Sequence, residues 1–422
     1  MKKEIKKVSA LFVVLSMLFV CVACNKTSVP VDTLSTDANA TVTENTSDDT
    51  VTTTAETSDG TTATAQVTTV SDTTSATETT TVPDTTTSTQ STTVSVETTF
   101  ANNEPDTPDG VLTEIITNGG ATIKTADLKN YDANAESVVY YISDITPEAL
   151  MAAYKALGTE ITGENTAVKI HTGESEQTNY LRPEFIKDLV HHVNGTIVES
   201  NTAYGGKRAQ TAMHYQVAKD RGFTDIADVV ILDETGSVSI PVTGGSVLKE
   251  NLVGARFTEF DGMLVLSHFK GHLMGGFGGS IKNISIGIAS TEGKCLIHTG
   301  GKSRTFPWGG KSSVFMDSMA EAGKSVVDAL NGNILFINVM NNLSVDCDCM
   351  ALPSEPDVHD IGILASADPV ALDQACVDLI YNSEGAASII RRIESRGGED
   401  TLEHGEKIGL GNRSYKLVVI NE

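Results

Sequence analysis

The stretch GMLVLSHFKGHLMGGFGGSIKN, residues 262–283, joins a short apolar run directly to a segment rich in glycine, histidine and lysine. Residues 262–267 have the length and composition of a buried strand. The segment that follows has few large apolar side chains, so core packing does not account for it. In α/β proteins, ligands bind at the carboxyl ends of strands. The stretch therefore predicts a strand that leads into a ligand-binding loop.

Strand-like and helix-like segments alternate on both sides of this stretch, from residue 111 to residue 422. Thr146 and Asp368 each precede a proline and are predicted to be helix N-caps. Such alternation is typical of βαβ units, and we expect an α/β fold with a mostly parallel sheet flanked by helices. The predicted strands lie at 137–143, 166–173, 195–200, 228–233, 262–267, 333–340 and 360–366, and the predicted helices at 145–157, 182–193, 207–222, 312–330 and 368–382.

The first 23 residues have the pattern of a secretory signal. Lysines crowd the first seven positions, and the apolar run from Val8 to Ala23 is short for a membrane span. The run ends in CVAC, which resembles a bacterial lipoprotein signal, although Cys21 stands where leucine is usual. The resemblance implies a lipid on Cys24 and an extracytoplasmic protein anchored to the bacterial cell membrane. The alternative is plain secretion after cleavage nearby.

Residues 24–110 consist largely of Thr, Ser, Val, Asp and Glu, with almost no aromatic residue and no apolar period. Such a segment cannot bury enough surface to offset chain entropy, so we predict a disordered or glycosylated stalk. Its fourteen acidic residues and one lysine account for 13 of the 25 net negative charges of the chain. This acidity argues against nucleic acid as a partner, which needs a basic footprint.

Four side chains between residue 111 and residue 422 are candidate metal ligands. His268 and His272 are four residues apart, and the lysine and glycines around them favour a loop over a helix. Cys347 and Cys349 flank Asp348, and residues two apart on an extended chain face the same way. Two thiolates on one side suit a soft metal or a cluster. The alternatives are backbone-bonded histidines and a buried or oxidised cysteine pair without function.

Glycine-rich loops cradle anions with their backbone N–H groups, and the segment 275–282 has that composition. A tight turn is the alternative. Basic groups on two other segments could bind a carboxylate or phosphate, although solvated loops explain them as well. The predicted cofactor-binding residues are Gly275, Gly276, Gly278, Gly279 and Lys270, followed by Lys282; the basic and polar groups elsewhere are Lys169, His171, Tyr204, Lys207 and Arg208; and Asp373 is a weaker candidate.

Several motifs together resemble the DUF362 family, the uncharacterised iron–sulfur centre proteins. They are YLRPEFIKDLV (180–190), YGGKR (204–208), the segment 267–290, CDC (347–349) and DIGILASADPVALDQACVDL (360–379), in order between residues 136 and 382. Many members carry a ferredoxin-like insert with repeated C-x-x-C spacing. Here that place holds GKSRTFPWGGKSSVF (301–315), which has no cysteine. A ferredoxin-type cluster is therefore not expected, and any cluster would need Cys347 and Cys349 with distant ligands such as Cys295, His268 or His272.

A shorter similarity is to the nickel-pincer lactate racemases, in which a histidine, glycines and a lysine precede a PGIAS-like segment. His272, Gly276, Gly279 and Lys282 follow that order before IGIAS (286–290), with the glycine pair displaced by one position. This resemblance implies His272 as a metal ligand and Lys282 near a substrate or cofactor. It also implies two lobes with the site at the cleft between them.

The sequence thus predicts a surface-anchored protein that binds a metal ion, an iron–sulfur cluster or a metal-containing cofactor for redox or metal-assisted chemistry. One alternative is a racemase or isomerase that acts on a small hydroxy acid, with His272 and Lys282 as the catalytic groups. Another is a non-catalytic surface module that binds carbohydrate or envelope polymer, against which the single Trp308 argues weakly.

Overall fold

The computed structural model of the chain describes residues 51–56, 62–67 and 112–420. The first two ranges are strands β1 (Val51–Glu56) and β2 (Thr62–Val67), which pair antiparallel. They belong to a different unit from the remaining described residues, which lie within Asn102–Glu422. The predicted signal peptide, Cys24 and the rest of the predicted stalk lie outside the described residues.

An eight-stranded sheet forms the centre of the unit Asn102–Glu422. One strand, β15 (Gly362–Ser366), runs antiparallel to both of its neighbours, and every other neighbouring pair is parallel. This arrangement confirms the predicted α/β fold with a mostly parallel sheet. In spatial order the strands are β16 (Lys416–Val419), β5 (Val138–Ile142), β15 (Gly362–Ser366), β14 (Ile334–Met340), β11 (Gly262–His268), β6 (Thr166–Lys169), β7 (Thr196–Glu199) and β8 (Val229–Ile231).

Helices cover the sheet, and two of them begin at the predicted N-caps. Thr146 Oγ1 accepts a hydrogen bond from Ala149 N (3.1 Å), and Asp368 accepts from Val370 N and Ala371 N. The helices are α1 (Pro147–Ala156), α2 (Pro183–His192), α3 (Thr211–Asp220), α4 (Ser280–Ser285), α5 (Thr291–Thr299), α6 (Ser312–Ala329), α7 (Pro369–Tyr381), α8 (Ala387–Arg396) and α9 (Asp400–Lys407). None of the described helices combines the length and apolarity needed to span a bilayer.

The central strands are buried on both faces. Every residue of β11 and of β14 is buried, and alternate side chains enter two different core clusters. Met263 and Val265 pack in one cluster, whereas Leu264 and Leu266 pack in the other. This period-two alternation on a strand without a polar face explains why the sequence shows a continuous apolar run.

Three antiparallel hairpins flank the sheet: β3 (Glu114–Ile116) with β4 (Thr122–Lys124), β9 (Ser237–Pro241) with β10 (Glu250–Gly254), and β12 (Lys270–His272) with β13 (Gly276–Gly278). The last one corrects the predicted loop, because the segment after β11 pairs with itself as a hairpin. The two-lobe arrangement also needs correction: the described residues of Asn102–Glu422 form one compact unit around a single eight-stranded sheet.

Candidate metal site in a cationic cavity

The candidate site lies at the carboxyl ends of adjacent parallel strands, the edge at which α/β sheets bind ligands. His171 follows β6, Glu199 ends β7 and His268 ends β11, and these three residues line the same cavity. The segment after β14 carries Cys349, which also lines it. The parallel arrangement therefore brings together side chains that are far apart in the sequence.

Three of the four predicted metal ligands meet at one end of this cavity. The ligand atoms of His272, Cys347 and Cys349 all lie within 4.8 Å of one another. His272 and Cys347 are buried, and Cys349 is partly buried. The four cysteines of the described residues are all free thiols, and the other two, Cys295 and Cys376, do not join the group.

A close backbone approach holds the histidine next to the cysteines. Gly271 N donates to the Ser344 carbonyl (2.8 Å), so strand β12 runs against the segment that leads to Cys347. A Cβ atom on Gly271 would overlap the backbone of Val345. Glycine is required at this position because any side chain would push the cysteine-bearing segment away from His272.

The pKa values of the two thiols shift in opposite directions. A hydrogen bond from Cys349 keeps the pKa of Cys347 well below its usual value, and Lys282 and Lys270 add to this effect against burial. Lys282 Nζ lies 3.6 Å from Cys347 Sγ. Donation of that hydrogen bond, together with burial, raises the pKa of Cys349 well above its usual value. Because thiolates bind metals, metal binding requires loss of the Cys349 proton.

His272 is held as a neutral ring with a defined tautomer. Its Nδ1 accepts a hydrogen bond from Gly275 N (2.8 Å), which places the ring proton on Nε2. Burial, followed by the charge of Lys282, lowers the pKa of His272 well below its usual value. An imidazole that binds a metal through one nitrogen carries its proton on the other. Metal binding by His272 therefore requires the contact with Gly275 to change.

His268 does not join the other predicted ligands, which corrects the four-ligand set. Its Nδ1 lies 2.9 Å from Asp348 Oδ2, and its Nε2 lies 2.7 Å from the Asn341 carbonyl oxygen. Both ring nitrogens face oxygen acceptors, so neither directs a lone pair at a metal. The backbone-bonded alternative describes this residue better.

Lys270 lines the cavity, but its charge is already paired. Its Nζ lies 3.0 Å from Asp348 Oδ2 and donates to the His268 carbonyl at 2.6 Å. Burial disfavours the charged form of both groups. The attraction between them is stronger, so it raises the pKa of Lys270 and keeps the pKa of Asp348 well below its usual value. Asp348 thus fixes both Lys270 and His268 beneath the cysteine segment.

The predicted glycine cradle divides into two pairs. Gly278 and Gly279 line the cavity, whereas Gly275 and Gly276 do not. Gly275 supplies the N–H that His272 accepts, and Gly276 has a φ of +79° and packs against the backbone of Gly398. Backbone geometry therefore explains Gly275 and Gly276, which agrees with the tight turn considered as the alternative for this segment.

Asp373 lies behind the site and positions the helix that carries Lys282. Its carboxylate accepts hydrogen bonds from Ser280 N (2.8 Å), Ile281 N (3.0 Å) and Asn338 Nδ2 (2.7 Å). Burial raises its pKa to about 6, against the effect of these three donors. Asp373 therefore acts on the site through α4 and does not face the cavity.

Replacing Asp373 with alanine is expected to lower the free energy of unfolding by at least about 2 kcal/mol, because three buried N–H donors lose their acceptor. Urea denaturation of the full-length protein measures this loss. Asp188→Ala, on an exposed face of α2, is the matched control and should change stability by less than about 0.5 kcal/mol. Equal effects of the two variants would contradict the capping role.

The cavity encloses about 620 Å³ of empty space, its open mouth included. Of the basic and polar groups predicted on a strand and its end and on a loop, His171, Tyr204 and Arg208 line the cavity. Lys207 is exposed, and Lys169 is buried and does not line it. Sequence reasoning missed Glu199 and Lys294. Glu199 could have been predicted, because it stands at the polar carboxyl end of the apolar strand at 195–200. No pattern in the neighbouring sequence indicates a role for Lys294. The lining residues with ionisable or aromatic side chains are His171, Glu199, Tyr204, Arg208, His268, Lys270, His272, Lys282, Lys294 and Cys349.

This fold and this site define the chain as an α/β protein with two cysteines and a histidine gathered in a cationic cavity. The model of the domain of unknown function DUF362 matches residues 166–378, slightly more than half of the chain. The chain belongs to the DUF362 family. The predicted membership is thereby confirmed, and the family's description assigns no activity.

Two solved structures show a distant likeness. The lactate racemase apoprotein from Thermoanaerobacterium thermosaccharolyticum is 12% identical with a TM-score of 0.34, over 73% of this chain and 88% of that one. A protein from Thermotoga maritima is 12% identical with a TM-score of 0.30, over 62% of this chain and 58% of that one. No curated protein matches the sequence.

Proposed function

We propose that this protein binds a transition-metal ion or a metal-containing cofactor through His272, Cys347 and Cys349 and uses it for redox or metal-assisted chemistry. The observation that carries the proposal is the convergence of these three ligand atoms within 4.8 Å of one another, beside a cavity that His272 and Cys349 line. The three side chains come from a hairpin and from a segment about 75 residues further on, so local sequence proximity does not explain their meeting.

The ligand set narrows the choice of metal. Two thiolates with one imidazole suit zinc, nickel, copper(I) or iron better than magnesium or calcium, which prefer oxygen ligands. Three protein ligands leave a coordination position open, as in catalytic zinc sites, whereas structural zinc sites use four. A ferredoxin-type cluster needs four thiolates, and Cys295 and Cys376 are not part of this group.

The surrounding residues are suited to chemistry on a polar ligand. A bound divalent metal would polarise an oxygen atom of that ligand. Lys282 stabilises the Cys347 thiolate at 3.6 Å, and Asp348 fixes Lys270 beneath the two cysteines. Burial of the histidine and of one cysteine limits access of water to the open position.

Elemental analysis with an absorption spectrum tests the proposal on full-length protein purified in detergent without oxygen. We expect close to one equivalent of zinc, nickel, copper or iron per chain. Iron with a visible charge-transfer band would support a cluster. Protein that is folded and free of metal, and that takes up none of these ions on titration, would contradict the proposal and favour the non-catalytic binding module.

Proton transfer on a small hydroxy acid is a second candidate, favoured by the presence of His272 and Lys282 on one cavity wall. Because Nδ1 of His272 accepts from Gly275 N, its Nε2 carries a proton that it can donate to a bound hydroxy acid. Incubation of the purified protein with single enantiomers of 2-hydroxy acids tests this candidate. Interconversion of the enantiomers that fails in Lys282→Met would support it.

We also propose that a lipid on Cys24 anchors the protein to the outer face of the bacterial cell membrane, since two acyl chains give stable attachment. Cys24→Ala is expected to move the protein from the membrane fraction to the soluble fraction and to remove the lipid mass from the mature N-terminus. Cys21→Ala is the matched control and should stay in the membrane fraction. An unmodified Cys24 in membrane-bound protein would refute this anchor.

A further inference from the structure

The cavity carries more positive charge than its own acidic groups balance. Arg208, Lys270, Lys282 and Lys294 line it, and Glu199 is its only carboxylate among the described lining residues. Ionised groups inside proteins are normally paired, because their separation from water is otherwise costly. The question is which of these cations lack a partner.

Two of the four cations are balanced. Lys270 pairs with Asp348 at 3.0 Å, from beneath the cavity. Arg208 pairs with Glu174 at 3.1 Å and with Glu199 at 3.3 Å. Glu199 is further occupied by the buried Lys169, which lies 2.8 Å from its other oxygen. These three carboxylates are therefore taken. Asp233 and Glu199 attract Lys294 from a longer distance, but no carboxylate of the described residues lies within 4.0 Å of Lys282 or Lys294.

Lys294 is the less compensated of the remaining two. Only 3% of the residue is exposed, and among the described residues its Nζ donates to a single acceptor, the Ala289 carbonyl, at 2.5 Å. No described carboxylate lies within 4.0 Å of it. Burial lowers the pKa of Lys294 to about 8. A buried ammonium with one of three donors satisfied, on the wall of a cavity, indicates a missing acceptor in that cavity.

Lys282 offers a second donor to the same space. It is partly buried, and its Nζ has Cys347 Sγ at 3.6 Å as its described partner. An ammonium group has three N–H donors, and this one described contact leaves donors of Lys282 for another group.

We propose that the cavity is a binding site for a small anion that carries a carboxylate or phosphate group, held by Lys294 and Lys282. Such oxygen anions accept several hydrogen bonds from ammonium groups, which matches the unsatisfied donors. The site shares a cavity with the proposed metal site but does not depend on a bound metal. If both sites are occupied, the anion is the ligand on which the metal chemistry acts.

Calorimetric titration of full-length protein in detergent, treated with a chelator, tests the proposal. Inorganic phosphate and malonate are the probes, and chloride is the reference ion. We expect at least one probe to bind more tightly than chloride, and the tighter one identifies the phosphate or carboxylate class. Lys294→Met should weaken that binding by about tenfold or more, the loss expected for one charge-assisted hydrogen bond. Lys187→Met, on an exposed face of α2, should bind as the wild type does.

Binding that is equal for both probes and chloride, or unchanged in Lys294→Met, would overturn the proposal. Lys282→Met is a second variant at a partly buried position, so the test does not depend on the folding of Lys294→Met. Metal content measured on each protein before the chelator treatment separates the two sites. Normal metal content with lost anion binding supports both proposals, whereas absent metal with retained anion binding rejects the metal site alone.

Discussion

Replacing Cys347 with serine is expected to lower metal affinity by at least about a hundredfold, so that the purified protein contains almost no metal. Residues that only orient a metal ligand cost 10–100-fold when they are mutated, so loss of a ligand itself should cost more. Serine keeps the size of the side chain but has no thiolate at neutral pH. His272→Ala should have the same effect. Elemental analysis and a competition titration with a chromophoric chelator measure the change.

Two controls make this result specific to the proposed ligands. Cys295→Ser alters a buried cysteine on α5 that does not belong to the group, and it should keep the metal content of the wild type. His268→Gln should also keep its metal, because both nitrogens of His268 face oxygen acceptors. A folded Cys347→Ser protein with full metal content would show that the ligand set is wrong.

Replacing Glu199 with glutamine is expected to lower the free energy of unfolding by about 3–5 kcal/mol, the cost of breaking a buried ion pair on one side. Glu199 is 2% exposed and lies 2.8 Å from the fully buried Lys169. It also accepts a hydrogen bond from Thr172 N at 3.0 Å. The neutral side chain would leave Lys169 and Arg208 without their main counter-charge beneath the cavity. Urea denaturation followed by fluorescence of the single Trp308 measures the loss.

The effect of Glu199→Gln should depend on pH. Burial alone would raise the pKa of Glu199, but Lys169, His171 and Arg208 hold it well below its usual value. Burial also lowers the pKa of Lys169 against the attraction of Glu199. Glu199 faces both Lys169 and Arg208, and these two cations favour the ionised form of the Glu199–Lys169 pair at neutral pH. A carboxyl whose pKa is lower in the folded state contributes stability above its unfolded pKa of about 4.3 and loses it in acid.

The stability gap between wild type and Glu199→Gln should therefore be complete at neutral pH and should close below about pH 4. Asp328→Asn is the control, since Asp328 pairs with Lys324 on the surface of α6 at 2.7 Å and is 38% exposed. Its removal should cost about 0.5 kcal/mol or less. A similar cost for both variants, or a gap that grows in acid, would disprove the assignment of a buried ionised pair.

The sequence predicted the elements that depend on local patterns. Continuous apolar runs mark β11 and β14 because both of their faces are covered. Thr146 and Asp368 mark the starts of two helices. A helix cap is a local feature, because its side-chain oxygen accepts hydrogen bonds from backbone N–H groups no more than three residues further along the chain. The alternation of these elements was sufficient for the α/β class, since parallel strands need crossover helices.

The segment after β11 was predicted less well. Its glycines indicated a loop, yet Lys270–His272 and Gly276–Gly278 pair as a hairpin. The glycines at 271 and 276 are there because neighbouring backbone approaches them closely, from Val345 and from Gly398. Those neighbours are more than 70 residues away in the sequence, so no local pattern could reveal the contact.

The sequence by itself determined which chemical groups are present: two cysteines in a C-x-C pattern, a histidine pair and a glycine-rich segment next to a buried strand. Only the tertiary structure decided how they are used. It selected His272 over His268, because Asp348 and Asn341 occupy the nitrogens of His268. It also placed Lys294 on the cavity wall with no described carboxylate within 4.0 Å of it. Distances between residues on different strands are set by packing of the whole sheet, whereas sequence patterns report only neighbours along the chain.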